Sequence, residues 1–389
     1  MVPWAHGVNV AFAADAGTDQ RNVLVYLFLR FGMDGLQLLA PADDAAYRDK
    51  RRTIGLTTSG VNAGRPLGTL DGTQFFLHPA ADQLRQMYVD KSLAFVHAAG
   101  MPTQLRSHFE VQEMVDKGIA DGDPNTAHGW LARHLNVRSL ATSELGATAD
   151  ALIGTSSLSG APGVVPTSDL ESLPYFVTEE RGKLITALNK GDSPSAKSVR
   201  QTLKTVDVVR ERISALPRIP NPNYTYGDLS QKLQPLARAL KLNMGIEVAT
   251  VDLGGWDHHD NIQAAFTTAA RELSNALFAF TDDLGPLMKR VTVVAMTEFG
   301  RRVEENNNAG TDHGSASVMM VLGAGVNGGK IYGTWPGLKD TELDGGDLRV
   351  TTDYRRVISE VLVKRQSQDK IASVFPTLAY KPLDIISSV

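Results

Sequence analysis

The chain has 389 residues, of which 42% are hydrophobic and 21% charged, and its formal net charge is −4. This composition is typical of a globular protein with a large core, and the lack of a basic stripe argues against nucleic acid or a membrane surface as partners. The sequence contains no cysteine, which excludes disulfides, Cys-ligated zinc, iron–sulfur clusters and thiol catalysis.

The N-terminal stretch resembles the end of a secretory signal peptide. Small residues at Ala11 and Ala13 form an A-x-A pattern before Ala14 and Asp15, although no positively charged region precedes them. We expect residues 1–21 to be either a residual signal peptide or a flexible N-terminus, and the protein to be periplasmic or secreted. No later apolar run reaches the roughly 18 residues of a transmembrane helix, so no integral membrane segment is expected.

Strand-like and helix-like segments alternate along the rest of the chain. The strands are apolar runs without alternation, and the helices have apolar positions at helical spacing. The predicted strands are NVLVYLFL (22–29), SLAFVHAAG (92–100), IEVATVDLGG (246–255), RVTVVAMT (290–297) and ASVMMVLG (316–323). The predicted helices cover residues 77–91, 107–118, 195–216, 261–284 and 351–365.

This alternation predicts an α/β fold with a mostly parallel central sheet. Proline and serine become common between residues 162 and 227, and we interpret this region as an inserted, mostly helical cap. Residues 22–389 would then form a single domain around the insertion. Ligands of such sheets bind outside the carboxyl ends of the strands, where this sequence has its unusual polar residues.

Two short motifs combine a carboxylate with an imidazole. In GGWDHHDN, Asp257 and His259 stand two residues apart, and in GTDHG, Asp312 and His313 stand between glycines. These side chains suit zinc, manganese or iron. The alternatives are that Asp257 caps a helix and that GTDHG is a surface turn.

Two further carboxylates follow buried strands. Glu298 and Asp34 each stand where a strand ends, and a carboxylate there must be paired, hydrogen-bonded or bound to a metal. The alternative for Glu298 is an ion pair with Arg301 or Arg302. The alternative for Asp34 is an ion pair with Arg30.

Ser107 begins the sequence SHFE, which has two interpretations. It fits the capping box S-x-x-E, in which the hydroxyl caps a helix and Glu110 reaches back. It also fits a nucleophile, because the positive end of a helix favours an anion and an alkoxide. His108 and Arg106 flank Ser107, and a simple cap requires neither, so we favour the nucleophile.

A glycine-rich stretch, Gly323 to Gly328, fits the pattern G-x-G-x-x-G after a strand. A dinucleotide site also needs a helix that begins at once. The residues that follow are strand-like and rich in turns, so we do not expect NAD binding.

Taken together, these motifs resemble the bacterial family called "domain of unknown function 1501", within the alkaline phosphatase and sulfatase superfamily. The resemblance extends over nearly the whole chain from Asn22. Two positions depart from it, because the family usually has Gly where Phe31 stands and Thr where His258 stands. The matching stretches are LRFGMDGLQ, RSHFEVQ, GWLARHL, GGWDHHDN, TEFGRRVEEN, GTDHGSA, VNGGKIYGTWPGL and TTDYRRV.

The resemblance implies a three-layer α/β/α, alkaline-phosphatase-like fold with metal ions at the carboxyl ends of the strands. Glu298 stands where many relatives have an Asp–His pair, and Phe299 replaces that His, so the number of metals stays open between one and two. Carried over by position, the expected metal ligands are Asp34, Asp257, His259, Glu298, Asp312 and His313. The expected catalytic residues are Ser107, His108 and Arg301, with Arg301 or Arg302 holding an anionic group.

The predicted function is that of an exported metal-dependent hydrolase of phosphate or sulfate esters. Zinc or manganese is the expected divalent metal, with calcium or magnesium as alternatives, and the substrate would be an anionic small-molecule or glycan ester. The competing hypothesis is a non-catalytic exported binding protein that retains the fold.

Overall fold

The computed structural model of the chain describes residues 8–12, 21–139, 156–161, 164–167, 177–215, 221, 223–243 and 245–387. The predicted cleavage region, residues 13–15, lies outside these residues. Part of the predicted insertion does so as well, notably residues 168–176 and 216–220.

The described residues form two sheets and a set of helices around them. The strands are β1 (Val8–Phe12), β2 (Val23–Leu29), β3 (Leu39–Ala40), β4 (Arg65–Leu70), β5 (Thr73–Leu77), β6 (Leu93–Gly100), β7 (Val164–Thr167), β8 (Ile246–Leu253), β9 (Val291–Met296), β10 (Ser317–Gly323), β11 (Ile331–Tyr332) and β12 (Thr352–Asp353). The α-helices are α1 (Gly35–Leu38), α2 (Ala45–Lys50), α3 (Asp82–Val89), α4 (His108–Lys117), α5 (Trp130–Ser139), α6 (Glu179–Leu188), α7 (Pro194–Ala215), α8 (Asp228–Lys241), α9 (Ile262–Leu284), α10 (Tyr354–Gln366) and α11 (Ile371–Val374).

The central sheet has nine described strands, in the order β11-β6-β10-β9-β2-β8-β1-β7, with β12 also paired to β6. β2 lies between β8 and β9 and is parallel to both. Only β1 and β10, among these described strands, run against the others. The predicted mostly parallel central sheet is therefore confirmed. A smaller antiparallel sheet has the order β3-β5-β4.

Helices cover both faces of the central sheet and form three layers. One core contains side chains of α3, α8 and α9, and the other contains side chains of α4, α5, α10 and α11. All seven residues of β2 are buried, and their side chains alternate between the two cores. A strand covered on both faces needs apolar residues at every position, which explains the continuous run VLVYLFL.

The described part of the region predicted as an insertion contains β7 and two helices, α6 and α7. α7 begins and ends one residue before the helix predicted at 195–216. β7 extends the central sheet beyond β1. Among the described residues no helix is both long enough and apolar enough to cross a membrane.

Candidate metal centre

The candidate site lies where three neighbouring strands end. β2, β8 and β9 are parallel neighbours, so the loops that follow Leu29, Leu253 and Met296 meet at one edge of the sheet. The start of α4 and the loop before β10 complete the site. This edge is the one at which parallel α/β sheets bind ligands.

Three imidazole nitrogens converge on one carboxylate oxygen. Asp257 Oδ1 lies 3.3 Å from Nε2 of His108, 3.0 Å from Nε2 of His259 and 3.4 Å from Nε2 of His313. Nε2 of His259 is also 3.0 Å from Nε2 of His313. The predicted pair Asp257–His259 and the predicted His313 therefore meet, and His108 joins them.

The second nitrogen of each imidazole faces an oxygen that can only accept a hydrogen bond. His108 Nδ1 donates to Glu298 over 2.7 Å, His259 Nδ1 to Asp312 over 3.0 Å, and His313 Nδ1 to the carbonyl oxygen of Arg106 over 2.7 Å. A neutral imidazole that donates from Nδ1 has its lone pair on Nε2. All three lone pairs thus point toward the same small volume.

These residues fit a bound metal ion. Arg301 lies 2.6 Å from Asp257 Oδ1 and 3.5 Å from Nε2 of His259, so its charge offsets part of the repulsion among these lone pairs and the carboxylate oxygen. A metal ion between them would offset the rest. The buried Nε2 of His108 has no hydrogen-bond partner among the described residues. Ligands held by zinc at about 2.0–2.1 Å in a tetrahedron lie about 3.3 Å apart, close to the separations found here. Within the described residues, His108, Asp257 and His313 form a group with ligand atoms within 4.8 Å of one another.

The electrostatics of the site favour the ligand forms of these groups. Burial opposes the ionisation of Asp257, but the hydrogen bond and charge of Arg301 outweigh it and lower the pKa to about 2. Burial lowers the pKa of His313 despite its bond to a backbone carbonyl. An ionised carboxylate and a neutral imidazole are the forms that bind a metal.

Glu298 lies behind the candidate ligands and orients His108. Its buried carboxylate accepts hydrogen bonds from His108, from Gln112 Nε2 over 2.8 Å, from the backbone N–H of Phe31 over 2.9 Å and from the Thr297 hydroxyl over 3.0 Å. Burial raises its pKa and these hydrogen bonds lower it, with a net lowering. Glu298 was predicted as a metal ligand, with an ion pair to Arg301 or Arg302 as the alternative. In the structure, its two oxygens accept hydrogen bonds from these four donors instead.

Asp34 also has its oxygens committed within the protein. It caps the short helix α1 through Gln37 N, and it accepts from Arg51 over 2.9 Å and from the Thr311 hydroxyl over 3.1 Å. The structure does not bring it into the group around Asp257. The alternative partner suggested by the sequence, Arg30, is wrong, because Arg30 binds Asp116 and Asp252 instead.

Arg301 holds the loops of the site together. Its buried guanidinium donates to Asp257 over 2.6 Å and to the carbonyl oxygens of Phe31, Gly32, Trp256 and Thr311. Gly32 has φ +70, and an added Cβ there would lie 3.1 Å from the guanidinium. Arg301 was predicted to bind an anionic group. In the structure, its N–H groups already donate to acceptors within the protein. Arg302 is half-exposed and lies near Asp347.

Ser107 stands at the N-cap position of α4, between two residues of the site. His108 supplies Nε2, and Arg106 supplies the carbonyl that holds His313. The Ser107 hydroxyl makes no capping hydrogen bond, so the predicted capping box does not form. Arg106 itself binds Asp347 and Ser315.

Aromatic rings form one wall of the site. Phe299 stacks on His108 at 4.7 Å between ring centroids and lies 5.1 Å from His313. Phe31 meets His108 edge-on at 5.4 Å. Phe31 also has φ +82, a left-handed conformation that is an outlier for a bulky residue and costs about 1–3 kcal/mol.

Asp312 and His258 complete the set of residues singled out from the sequence. Asp312 is exposed, and hydrogen bonds from Asn306 and His259 lower its pKa. It lies behind His259, as Glu298 lies behind His108. His258 is buried beside Trp256, and burial lowers its pKa.

The sequence did not identify His108 as a metal ligand or Arg301 as a positioning residue. One feature of the sequence does indicate that His108 could be a ligand. It is the first residue of a helix that follows a strand, and ligands of such sheets bind outside the carboxyl ends of the strands. Nothing local indicated which carboxylates would face the three imidazoles and which would support them.

The fold and the site define an α/β protein with a His/Asp group able to hold a metal ion. A family model described as "Protein of unknown function (DUF1501)" matches residues 176–356, and this match supports the family predicted from the sequence. No curated protein shows significant similarity to the chain.

Among solved structures, the chain resembles a sulfatase of Bacteroides thetaiotaomicron, from work entitled "Metabolism of multiple glycosaminoglycans by bacteroides thetaiotaomicron is orchestrated by a versatile core genetic locus". The identity is 10%, the TM-score is 0.33, and the match covers 92% of this chain and 74% of that chain. A likeness of this strength supports no conclusion about activity.

Proposed function

We propose that this chain is an exported metal-dependent hydrolase of phosphate or sulfate esters, related to the alkaline phosphatase and sulfatase superfamily. The observation that supports it is the convergence of three Nε2 atoms on Asp257 Oδ1 at the carboxyl ends of parallel strands. The proposed ligands are His108, Asp257, His259 and His313.

The ligand set suits an anionic substrate. One ionised carboxylate among three neutral imidazoles leaves a divalent ion with a net positive charge. A metal bound there would polarise an ester oxygen and stabilise the charge that develops on it. Three imidazoles and one carboxylate favour zinc over manganese, calcium and magnesium, which prefer oxygen ligands.

The protein residues have distinct roles in this proposal. Ser107 is the proposed nucleophile, because its uncapped hydroxyl lies at the positive end of α4 beside the ligand His108. Glu298 and Asp312 orient two of the imidazoles, and Arg301 positions Asp257. Such groups behind the ligands commonly affect metal affinity 10- to 100-fold.

The test combines metal content with turnover. The purified protein should contain a stoichiometric divalent metal and should hydrolyse chromogenic phosphate or sulfate esters. Ser107→Ala should abolish turnover and retain the metal, whereas His313→Ala should lose both. Ser107→Asp should also be inactive, since a fixed negative charge would stand where the substrate anion belongs. If Ser107→Asp retains activity, Ser107 is not the nucleophile.

A non-catalytic exported binding protein is the second candidate. The observation that favours it is Phe299, which stacks on His108 where related sequences are expected to have a histidine. A metal-loaded protein that binds phosphate or sulfate, but turns over no ester in a broad screen, would support this candidate over the hydrolase.

A further inference from the structure

Phe31 has a side chain that its backbone role does not require. Its N–H donates to Glu298 over 2.9 Å, and its carbonyl oxygen accepts from Arg301 over 2.7 Å. Glu298 holds His108 and Arg301 holds Asp257, so this one peptide segment links the supports of two ligands. Glycine would make both contacts and would adopt φ +82 without strain.

The strain therefore accompanies a ring, and the ring lies beside the metal centre. It is half-buried and meets the His108 imidazole edge-on at 5.4 Å. A Cβ added to Gly254 would also contact the ring, at 3.7 Å. Backbone strain that the surroundings hold in place at a ligand site is a sign of function.

Other apolar side chains either contact His108 or lie close to it in the sequence. Phe299 stacks on His108 from the loop after β9. Phe109 follows His108 directly and is 67% exposed, and Leu105 stands two residues before Ser107 and is 37% exposed. Of the two phenylalanine rings that contact His108, Phe299 is buried and Phe31 is partly exposed, so Phe31 offers apolar surface beside the candidate ligands.

We propose that Phe31 determines substrate specificity: its ring is the surface against which the organic group of the substrate packs, and it selects esters of an aromatic alcohol over esters of small aliphatic alcohols. This inference rests on the proposed hydrolase function for the identity of the substrate. The physical basis is ring-on-ring packing, which prefers offset or edge-to-face contact and exceeds simple area burial.

The experiment compares phenyl with methyl compounds in three variants. Phe31→Gly removes the ring and the strain, Phe31→Ala removes the ring and keeps the strain, and Phe31→Tyr keeps both. Binding of phenylphosphonate and of methylphosphonate to the metal-loaded protein is measured by calorimetry, and kcat and KM are measured for phenyl and methyl phosphate and sulfate esters. Zinc affinity and thermal unfolding are measured alongside.

The wild type and Phe31→Tyr should prefer the phenyl compound by about 10-fold, the size expected for an aromatic contact. Phe31→Gly and Phe31→Ala should lose this preference, chiefly through a higher KM or Kd for the phenyl compound. Phe31→Gly alone should raise the unfolding temperature. Zinc affinity should change little in all three variants, because none of the ligands is altered.

The proposal is overturned if Phe31→Gly keeps the preference for the phenyl compound, or if loss of the ring weakens zinc binding as strongly as it weakens phenylphosphonate binding. Failure of the hydrolase function would look different. A wild type without turnover, but with a phenylphosphonate preference that the Gly and Ala variants lose, refutes the hydrolase and retains the role of Phe31. Equal binding of both phosphonates to the wild type refutes the role of Phe31 whether or not esters are hydrolysed.

Discussion

Glu298 shows how one buried residue can orient a candidate metal ligand from behind it. It accepts from His108 Nδ1 and also from the side chains of Gln112 and Thr297. The bond to His108 fixes which nitrogen keeps its lone pair, and it increases the basicity of that nitrogen. A carboxylate behind an imidazole therefore acts on the metal through the imidazole.

Replacement of Glu298 by Gln should lower zinc affinity about 10- to 100-fold. The amide still fits and can accept from His108, but it lacks the negative charge. The matched control is Asp34→Asn, another buried carboxylate near a strand end, whose partner is Arg51. It should destabilise the fold and leave zinc affinity nearly unchanged. Titration with zinc against a competing chelator measures the zinc affinity of both variants. A larger loss of affinity in Asp34→Asn than in Glu298→Gln would indicate that Asp34 is a metal ligand.

His97 should make stability depend on pH. It is buried in β6, its Nε2–H donates to the Leu39 carbonyl, and its Nδ1 accepts from Ala98 N. Burial lowers its pKa to about 4, although the bond to Leu39 opposes this. The unfolded chain has a pKa near 6.5, so below about pH 6.5 it binds a proton that the folded chain does not. The free energy of unfolding should fall by about 3 kcal/mol between about pH 6.5 and pH 4 through this residue.

The measurement is urea unfolding of the metal-free protein at several pH values in that range. His97→Gln is the control, because an amide can donate to Leu39 and does not titrate. Between about pH 6.5 and pH 4, the free energy of unfolding of the variant should fall by about 3 kcal/mol less than that of the wild type. An unchanged pH dependence would show that His97 does not take part. His78, whose pKa burial also lowers to about 4, adds to the same slope in both proteins.

At the scale of elements, helix α4 begins without the hydrogen bond that its sequence predicts. SHFE fits a capping box, yet the Ser107 hydroxyl accepts nothing from the helix. α2 shows the ordinary case, in which Asp44 accepts from Ala46 N over 2.7 Å. A helix that has a capping residue but no cap leaves both the hydroxyl and the first N–H groups available to a ligand.

Ser107→Ala should therefore change the free energy of unfolding by less than about 0.5 kcal/mol, below the usual range for loss of a cap. Asp44→Ala is the control and should cost about 1 kcal/mol, because it removes a formed cap. Chemical denaturation of both variants provides the measurement. A cost for Ser107→Ala as large as that for Asp44→Ala would mean that the hydroxyl caps α4 in solution.

The sequence predicted the elements and part of the site, for reasons visible in particular residues. The continuous apolar runs of β2 and β9 identified covered strands, and the motifs around Asp257 and His313 identified residues that the structure brings together. The partners of Glu298 and Asp34 were not predictable, because His108 and Arg51 reach them from other segments. The reversal of β10 could have been predicted, since residues 297–316 contain no helix to bring the chain back for a parallel strand.

At the scale of the whole molecule, the N-terminal strand bears on the predicted export. β1 includes Ala11 of the A-x-A pattern and pairs with both β7 and β8. Cleavage near Ala14 would remove β1, expose the edge of β8 and leave β7 without this partner. The pairing of β2 with β8 and β9, which positions the metal centre, would remain.

The chain expressed with its full native N-terminus should be recovered outside the cytoplasm, and it should begin near Ala14 or Asp15. Mass spectrometry of the fractionated protein checks both points. A shortened chain that begins at Asp15 should still bind zinc with the affinity of the uncut chain, since the site does not use β1. Recovery of an uncut chain in the cytoplasm would contradict the export prediction.

Arg301 links segments that are far apart in the chain, since its acceptors extend from Phe31 to Thr311. We expect these loops to reach their final positions only after the strands before them have paired. Closing such long loops is slow, because their contacts are separated by most of the sequence. The metal centre should thus be the last part of the protein to form, and a chain still being synthesised, or folded only in part, would have no complete place for the ion.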